Sequence, residues 1–174
     1  MLILSTQNLL AEGVEIMNTE TEMLALVASL AKAKSKQNIL EALDVYHPEA
    51  VMEAPGLGGL AKGHSEINQQ LEVFFRLLPD YRVELETHAF KDEVMLATGK
   101  VIASLNVLGK DCPSISVPVF FEFHFSQGKI SREIFYFDAG VFSRKSGVKI
   151  EDLFKAMASY TRELGAASVL TSGA

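Results

Sequence analysis

Apolar and polar residues alternate along the stretch from Ile115 to Asp138. Side chains on a strand point alternately to opposite faces of a sheet, so this period of two predicts strands. One face of the first strand is predicted to carry Ile115, Val117, Val119, Phe121, Phe123 and Phe125, and the other Phe120, Glu122 and His124. Residues 126–128 (SQG) are a tight-turn signal before a second aromatic strand. The pattern therefore predicts a hairpin whose phenylalanine face packs on a helix or lines a pocket.

A helical period precedes these strands. Thr19 and Glu22 have the spacing of a capping box, which begins a helix. Apolar residues then recur at helical spacing at Met23, Leu26, Val27, Leu30 and Ala31. Residues 32–36 are interpreted as a polar interruption. A second short helix is predicted to stop before Pro48, and a third begins near Ser65, with a brief strand at residues 50–53 between them.

From Arg82 onward the period changes to two, which predicts strands at residues 82–89 and 93–108. A last amphipathic helix begins at Ile150 and is predicted to stop at Gly165. Helices come first and strands follow in antiparallel order, which is typical of the α+β class. Because long strands twist and curl, the predicted fold is a curved antiparallel sheet wrapped on the N-terminal helices, with a concavity at one end. The C-terminal helix is an addition to that core.

The chain of 174 residues has the length of one ordinary domain. The predicted division is an N-terminal arm at residues 1–18, the domain at residues 19–145, and a C-terminal helix and tail at residues 146–174.

The composition of the chain reduces the classes of partner that are expected. The formal net charge is −6 and no basic cluster is present, which disfavours nucleic acid and anionic membrane surfaces. No apolar stretch approaches the length of a membrane span, and the start of the chain lacks the basic region of a signal peptide. Cys112 is the single cysteine, so no internal disulfide is expected. A cytoplasmic location is the expectation that fits these features.

The order of elements resembles the nuclear-transport-factor-2-like superfamily, and within it the SnoaL-like polyketide cyclases. The resemblance runs from Thr21 to Arg144 and is carried by residues 46–56, 62–84 and 123–138. It implies a cone-shaped pocket between sheet and helices, and a homodimer formed through the open sheet face. Characterised members transfer protons next to carbonyl groups, as in aldol cyclisation or double-bond isomerisation, and some members only bind ligands.

Ketosteroid isomerases are also similar to this chain, but two of their acids are missing. Ala54 stands where their catalytic aspartate precedes a proline, and Phe121 stands where their oxyanion-binding acid lies. A shift of one residue in that alignment would instead place Glu53 or Glu122 in these roles. The resemblance as aligned argues against steroid isomerisation by that mechanism.

Three residues are candidates for catalysis. Asp138 matches the acid near the end of the last strand in the cyclases, and an acid in an apolar pocket suits proton transfer. The alternative is that Asp138 caps a turn or pairs with Arg144. Tyr136 would share the strand face of Asp138 and donate a hydrogen bond to a substrate oxygen. The alternative is that the Tyr136 hydroxyl bonds to the backbone. His64 lies beside a glycine-rich loop, where it acts as a base or simply faces water.

Aromatic and aliphatic side chains from several elements would line the pocket for an apolar ligand. The predicted ligand-binding residues are Phe121, Phe123, Phe125, Ile134, Phe74 and Met52. Glu122 and His124 share a strand face and suit a dimer interface, but a third metal ligand is missing, so no metal and no cofactor are predicted. Pro118 implies a strand edge or a bulge. The predicted function is a small-molecule pocket protein that acts as an acid–base enzyme of the aldol cyclase, isomerase or hydrolase type on a hydrophobic carbonyl compound. The alternative is a non-catalytic ligand-binding protein or a dimeric scaffold.

Overall fold

The computed structural model describes residues 19–107 and 110–171, so the arm predicted at residues 1–18 lies outside the described residues. The helices are α1 (Glu20–Ser35), α2 (Ile39–Val45), α3 (Gly63–Leu77), α4 (Ala139–Ser146) and α5 (Ile150–Thr171). The strands are β1 (Tyr46–Ala54), β2 (Gly59–Lys62), β3 (Arg82–Lys91), β4 (Val94–Val107), β5 (Lys110–Ser126) and β6 (Lys129–Phe137). A single 3-10 turn, Pro55–Leu57, joins β1 to β2.

The strands form one sheet in the order β2-β1-β6-β5-β4-β3. β1 runs parallel to β6, and every other neighbouring pair is antiparallel. This arrangement confirms the predicted α+β class, with a curved sheet that carries its helices on one face. The sequence pattern did not predict β2 or α4. None of the helices in the described part of the chain is long and apolar enough to cross a membrane.

Helix α1 begins with the predicted capping box, in which Thr19 Oγ1 accepts from the Glu22 amide and the Glu22 carboxylate accepts from the Thr19 amide. The helix continues through residues 32–35, which the sequence interpretation placed in a polar interruption, and it ends at Ser35 with Lys36 as its C-cap. Its buried stripe runs Met23, Val27, Leu30, Ala33 and Lys34. The interruption was placed too early, because the charge of Lys34 has a buried partner, which allows a lysine on the core face of the last helical turn.

The predicted aromatic hairpin is present. β5 and β6 are joined by Gln127 and Gly128, both with positive φ as a two-residue hairpin turn requires. Phe121, Phe123 and Phe125 are buried against the helices, as their alternation predicted. The pairing of β6 with β5 ends at Val119, so the residue before it, Pro118, lies where β5 has no paired strand on that side.

One extra residue in β6 decides which of its side chains face the helices. Phe125 pairs with Ile130 while His124 pairs with Arg132, so Ser131 forms a bulge. Beyond this bulge Glu133 lies opposite Phe123, on the helix side of the sheet. Ile134, its neighbour, lies opposite Glu122 on the outer face.

Helices α1 and α3 pack across the inner face, where Phe74 meets Phe135 edge-on with ring centroids 6.2 Å apart. α4 closes one end through Phe142, whose ring lies 4.7 Å from that of Phe137. α5 is longer than predicted and continues through Gly165 to Thr171. It packs on α3, with Arg76 Nη1 3.3 Å from Glu163 Oε2.

Candidate functional site

A buried ion pair lies inside the curved sheet. Lys34 Nζ donates to both oxygens of Glu133, at 2.7 Å to Oε1 and 2.6 Å to Oε2. Only 1% of Glu133 and 7% of Lys34 are exposed. The hydroxyl of Tyr46, which is also buried, donates to Oε2 of the same carboxylate. Three charge-assisted hydrogen bonds therefore hold this carboxylate away from water.

Each member of the cluster comes from a different element. Lys34 lies on the buried stripe of α1, eleven residues after Met23. Tyr46 is the first residue of β1, and Glu133 faces inward because of the bulge at Ser131. The cluster thus depends on the fold being assembled, since no two of its members are close in sequence.

Two tyrosines beside Glu133 remain protonated. Burial, followed by the negative charge of Glu133, raises the pKa of Tyr46 well above its ordinary value of 10.0. The same two causes raise the pKa of Tyr81. Both phenols are therefore hydrogen-bond donors at neutral pH, and neither serves as an anionic base.

Tyr81 stands out because its hydroxyl makes no hydrogen bond to any residue that the structure describes, although only 2% of the residue is exposed. A buried phenol hydroxyl normally has a partner, in the protein or in a bound molecule. Tyr81 borders both of the internal cavities that adjoin the ion pair. It is thus an unused donor, among the described residues, at the wall of a largely apolar space.

The larger of these cavities, named here the inner cavity, has a volume of about 40 Å³. Its lining residues are Lys34, Met52, Glu53, Ala54, Gln70, Leu71, Phe74, Tyr81, Glu133 and Phe135. A second space of about 10 Å³ lies against Phe121, Phe123 and α1. Lys34, Tyr81 and Glu133 border both, so polar groups that can give or take a proton lie at the centre of an apolar interior.

The predicted ligand-binding residues divide between the two faces of the sheet. Met52 and Phe74 line the inner cavity, and Phe121 and Phe123 line the second space. Phe125 is buried in the core but lines neither space. Ile134 is buried on the opposite face, because the bulge at Ser131 turns it outward.

Asp138 and Tyr136 lie away from the inner cavity. Asp138 is exposed, and its Oδ1 accepts from the Val141 amide at 2.9 Å as the N-cap of α4. Tyr136 is 42% exposed on the outer sheet face beside Phe120. Both line an open depression of about 490 Å³. The geometry of Asp138 matches the capping role that the sequence left as the alternative.

The histidines serve contacts outside the inner cavity. His64 Nε2 lies 3.1 Å from the carbonyl oxygen of Tyr46, where it joins the start of α3 to β1. His124 Nε2 lies 2.6 Å from Glu122 Oε1 on the outer face. Within residues 19–107 and 110–171, no group of three or more His, Cys, Asp or Glu side chains has the arrangement of a metal site.

The sequence interpretation did not single out Lys34, Tyr46, Tyr81, Glu133 or Gln70. A signal existed for two of them. Lys34 follows Val27 and Leu30 at the spacing of one helix face, and Glu133 alternates with Phe135 and Phe137. An acid and a base on two apolar faces are a sign of a buried pair. Nothing in the local pattern marks Tyr46, Tyr81 or Gln70.

Solved structures share this fold at low sequence identity. A candidate SnoaL-like polyketide cyclase from Shewanella denitrificans superposes with a TM-score of 0.66, at 13% identity over 75% of this chain and 100% of that one. TerC co-crystallised with polyporic acid gives 0.63, at 17% identity over 72% and 98%. A protein of ketosteroid isomerase-like fold from Catenulispora acidiphila, in complex with trimethylamine, gives 0.63, at 13% identity over 72% and 95%. At such identities the likeness establishes the fold alone.

Sequence comparison identifies the family. A search of curated proteins found no match. The sequence profile of the SnoaL-like domain matches residues 27–133, which is more than half of the chain. This range holds all three members of the buried cluster, and α4 and α5 follow it. The chain belongs to the SnoaL-like domain family.

Proposed function

We propose that this protein binds a hydrophobic carbonyl compound at the inner cavity and transfers a proton next to the carbonyl group. The observation that carries the proposal is the burial of Glu133, whose carboxylate borders an apolar cavity beside the phenol of Tyr81, which has no hydrogen bond to any described residue. A general base and a hydrogen-bond donor on the same small space are what enolisation requires.

Glu133 has capacity left to act as the base. A carboxylate offers about four acceptor positions, and Lys34 and Tyr46 occupy three of them. The free position is on Oε1. In the proposed step the C–H bond next to the carbonyl breaks and its proton goes to Oε1. Its electron pair forms the carbon–carbon double bond of the enolate, and the π pair of the carbonyl group moves to the oxygen. The O–H of Tyr81 donates to that oxygen as its negative charge develops.

Lys34 and Tyr46 act as positioning residues in this proposal. They hold the carboxylate in one orientation by direct hydrogen bonds, and they place a positive charge and a hydroxyl donor against it in an apolar interior. The ammonium of Lys34 also offsets the negative charge that moves from Glu133 to the substrate oxygen during proton transfer.

The test is proton exchange on a simple carbonyl probe. In heavy water, the methyl protons next to the carbonyl of 2-acetylnaphthalene are expected to exchange faster with the protein than without it, as followed by NMR. Glu133→Gln is expected to remove the acceleration. Tyr81→Phe is expected to lower it by about a hundredfold, the effect of losing one donor to a developing oxyanion.

Asp138→Asn is the matched control, because asparagine still caps α4 and the change removes a carboxylate outside the inner cavity. Its exchange rate is expected to equal that of the parent protein. Loss of exchange in Asp138→Asn with retention in Glu133→Gln would reassign the base to Asp138. Circular dichroism of each variant separates loss of chemistry from loss of fold.

The alternative proposal is a non-catalytic binding protein. It is favoured by the three hydrogen bonds that already engage Glu133, which suit a structural ion pair. Under this proposal 2-acetylnaphthalene binds without any acceleration of proton exchange. Glu133→Gln then lowers the free energy of unfolding and leaves the exchange rate unchanged.

We also propose that the outer sheet face binds a second copy of the chain. Leu96, Phe120 and Tyr136 are 41%, 36% and 42% exposed on neighbouring strands of this face. Adjacent exposed apolar side chains of this kind are typical of an interaction surface. The Glu122–His124 pair beside them adds polar groups that can meet their own copies across a two-fold axis.

A further inference from the structure

A groove on the surface runs beside the inner cavity. It lies between the segment from Leu57 to Ala61, helix α3 and helix α5, and has a volume of about 550 Å³. Its side chains are mainly apolar, and α5 contributes Met157, Thr161 and Leu164 as one wall. This space is named here the α5 groove.

Gln70 lies at the junction of the two spaces, because it lines both the inner cavity and the α5 groove. The residue is half-buried, and its carboxamide makes no hydrogen bond to any described residue. Its side-chain nitrogen packs against Gly59, where an added Cβ would overlap it. Gln70 therefore offers an unused donor and acceptor at the boundary, held there by a glycine that leaves room for it.

The volumes of the inner cavity and the α5 groove determine which part of a ligand fits in each. The inner cavity, at about 40 Å³, accommodates a group of a few atoms. Pockets for small organic molecules commonly measure about 300–1,000 Å³, a range that includes the α5 groove. A ligand that places its reactive group beside Glu133 must therefore leave most of its body outside the inner cavity.

The charges of the lining residues select against anions. Glu66 is the charged residue of the α5 groove, and the inner cavity carries Lys34, Glu53 and Glu133. Glu133 is paired with Lys34 and Glu53 with Arg132, so Glu66 is the carboxylate of the two linings that is outside an ion pair with a described residue, in a chain of formal net charge −6. An uncharged apolar body suits this surface better than a carboxylate does.

We propose that the α5 groove binds the apolar body of a neutral, elongated carbonyl compound while Gln70 donates to an oxygen of that compound at the cavity entrance. This inference rests on the proposed function of the inner cavity and names the substrate class for it. It also assigns a role to α5, which follows the matched SnoaL-like region. Substrate choice is then set by a helix outside that region.

The test uses the neutral fluorescent ketone Prodan, whose emission moves to shorter wavelength in an apolar site. Thr161→Trp places a large ring in the α5 groove from an exposed helix position. Its matched control is Arg162→Trp, the adjacent exposed residue, which does not line the groove. Prodan is expected to bind the parent protein and Arg162→Trp alike, and to bind Thr161→Trp at least about tenfold more weakly because the ring fills the space.

Two further measurements test the chemistry of the site. Gln70→Ala is expected to weaken Prodan binding by about threefold to tenfold, the effect of one hydrogen bond between neutral groups. In competition, 2-acetylnaphthalene is expected to displace Prodan, and 2-naphthoate is expected to do so at least about tenfold less well because of the lining carboxylates.

The outcomes separate this inference from the proposed function. Equal Prodan binding by Thr161→Trp and Arg162→Trp overturns the α5 groove, as does a parent protein that does not bind Prodan or that prefers 2-naphthoate. The proton-exchange assay with Glu133→Gln reports on the inner cavity by itself. A groove that binds Prodan in a protein without exchange activity would leave the binding subsite in place and remove the catalytic proposal.

Discussion

Lys34 and Glu133 are 99 residues apart in sequence, yet the ammonium nitrogen lies 2.7 and 2.6 Å from the two carboxylate oxygens. The pair joins α1, the first helix of the described chain, to β6, which is the last strand in sequence and lies inside the sheet. Neither charge is accessible to water, so each depends on the other for its solvation. This pair is both the structural centre of the inner cavity and the proposed source of its chemistry.

Replacing one member of the Lys34–Glu133 pair should lower the free energy of unfolding much more than replacing both. Lys34→Met leaves an unpaired buried carboxylate and is expected to lower the free energy of unfolding by about 3–5 kcal/mol. The double variant Lys34→Met, Glu133→Leu replaces both charges by apolar groups and is expected to recover most of that loss. Urea denaturation of the three proteins measures both quantities. A single variant as stable as the parent would mean that the pair is not buried in solution.

Stability should fall at alkaline pH because of the buried tyrosines. The pKa values of Tyr46 and Tyr81 are raised in the folded protein, whereas the unfolded chain ionises near its ordinary value of 10.0. Their contribution is therefore fully present below pH 10.0 and is lost as the pH rises above it, by about 1.4 kcal/mol per pH unit for each group. Urea denaturation at several pH values should give a shallower dependence for Tyr81→Phe than for the parent. Identical slopes would contradict the burial of this phenol.

Asp138 should affect stability through α4. Asp138→Ala removes the N-cap and is expected to cost about 1 kcal/mol, whereas Asp138→Asn keeps a capping oxygen and should cost only a few tenths. Thermal unfolding of both variants gives the comparison. Equal losses in the two would show that the negative charge, and not the cap, is what stabilises this end of the sheet.

The outer sheet face should determine the oligomeric state. Phe120→Lys places a charge in the exposed aromatic pair with Tyr136 and is expected to convert a dimer to a monomer in sedimentation experiments. Leu40→Lys is the control, because Leu40 is 75% exposed on α2, away from this face. A parent protein that sediments as a monomer at micromolar concentration would refute the proposed dimer.

Local patterns were sufficient to predict most of the elements. The alternation through Phe121, Phe123 and Phe125 gave the correct buried face, and Thr19 with Glu22 gave the start of α1. These features depend on neighbours a few residues away, so their physical cause is contained in the segment itself. The order of such segments was enough to identify the α+β class.

The inner cavity could not be predicted in the same way, because its polar groups are brought together by tertiary structure. The helical spacing of Lys34 was visible, but a lysine on a core face is expected only when a partner is known. That partner faces inward because of the bulge at Ser131, which no local signal predicted. Ile134 and Tyr136 were assigned to the pocket because strict alternation puts them on the strand face of Asp138. The bulge at Ser131 instead places Glu133 on the helix side and Ile134 on the outer face.

The parallel pairing of β1 with β6 also constrains the order in which the molecule can be completed during its synthesis. β1 and β2 are made early as a two-stranded ribbon, but the strand that covers their other edge begins only at Lys129. Until that strand leaves the ribosome, the ribbon has a bare edge and the ammonium on α1 has no counter-ion. A chain cut short before β6 would expose both features at once, and we expect it to be bound by chaperones or degraded by proteases instead of forming a smaller stable protein.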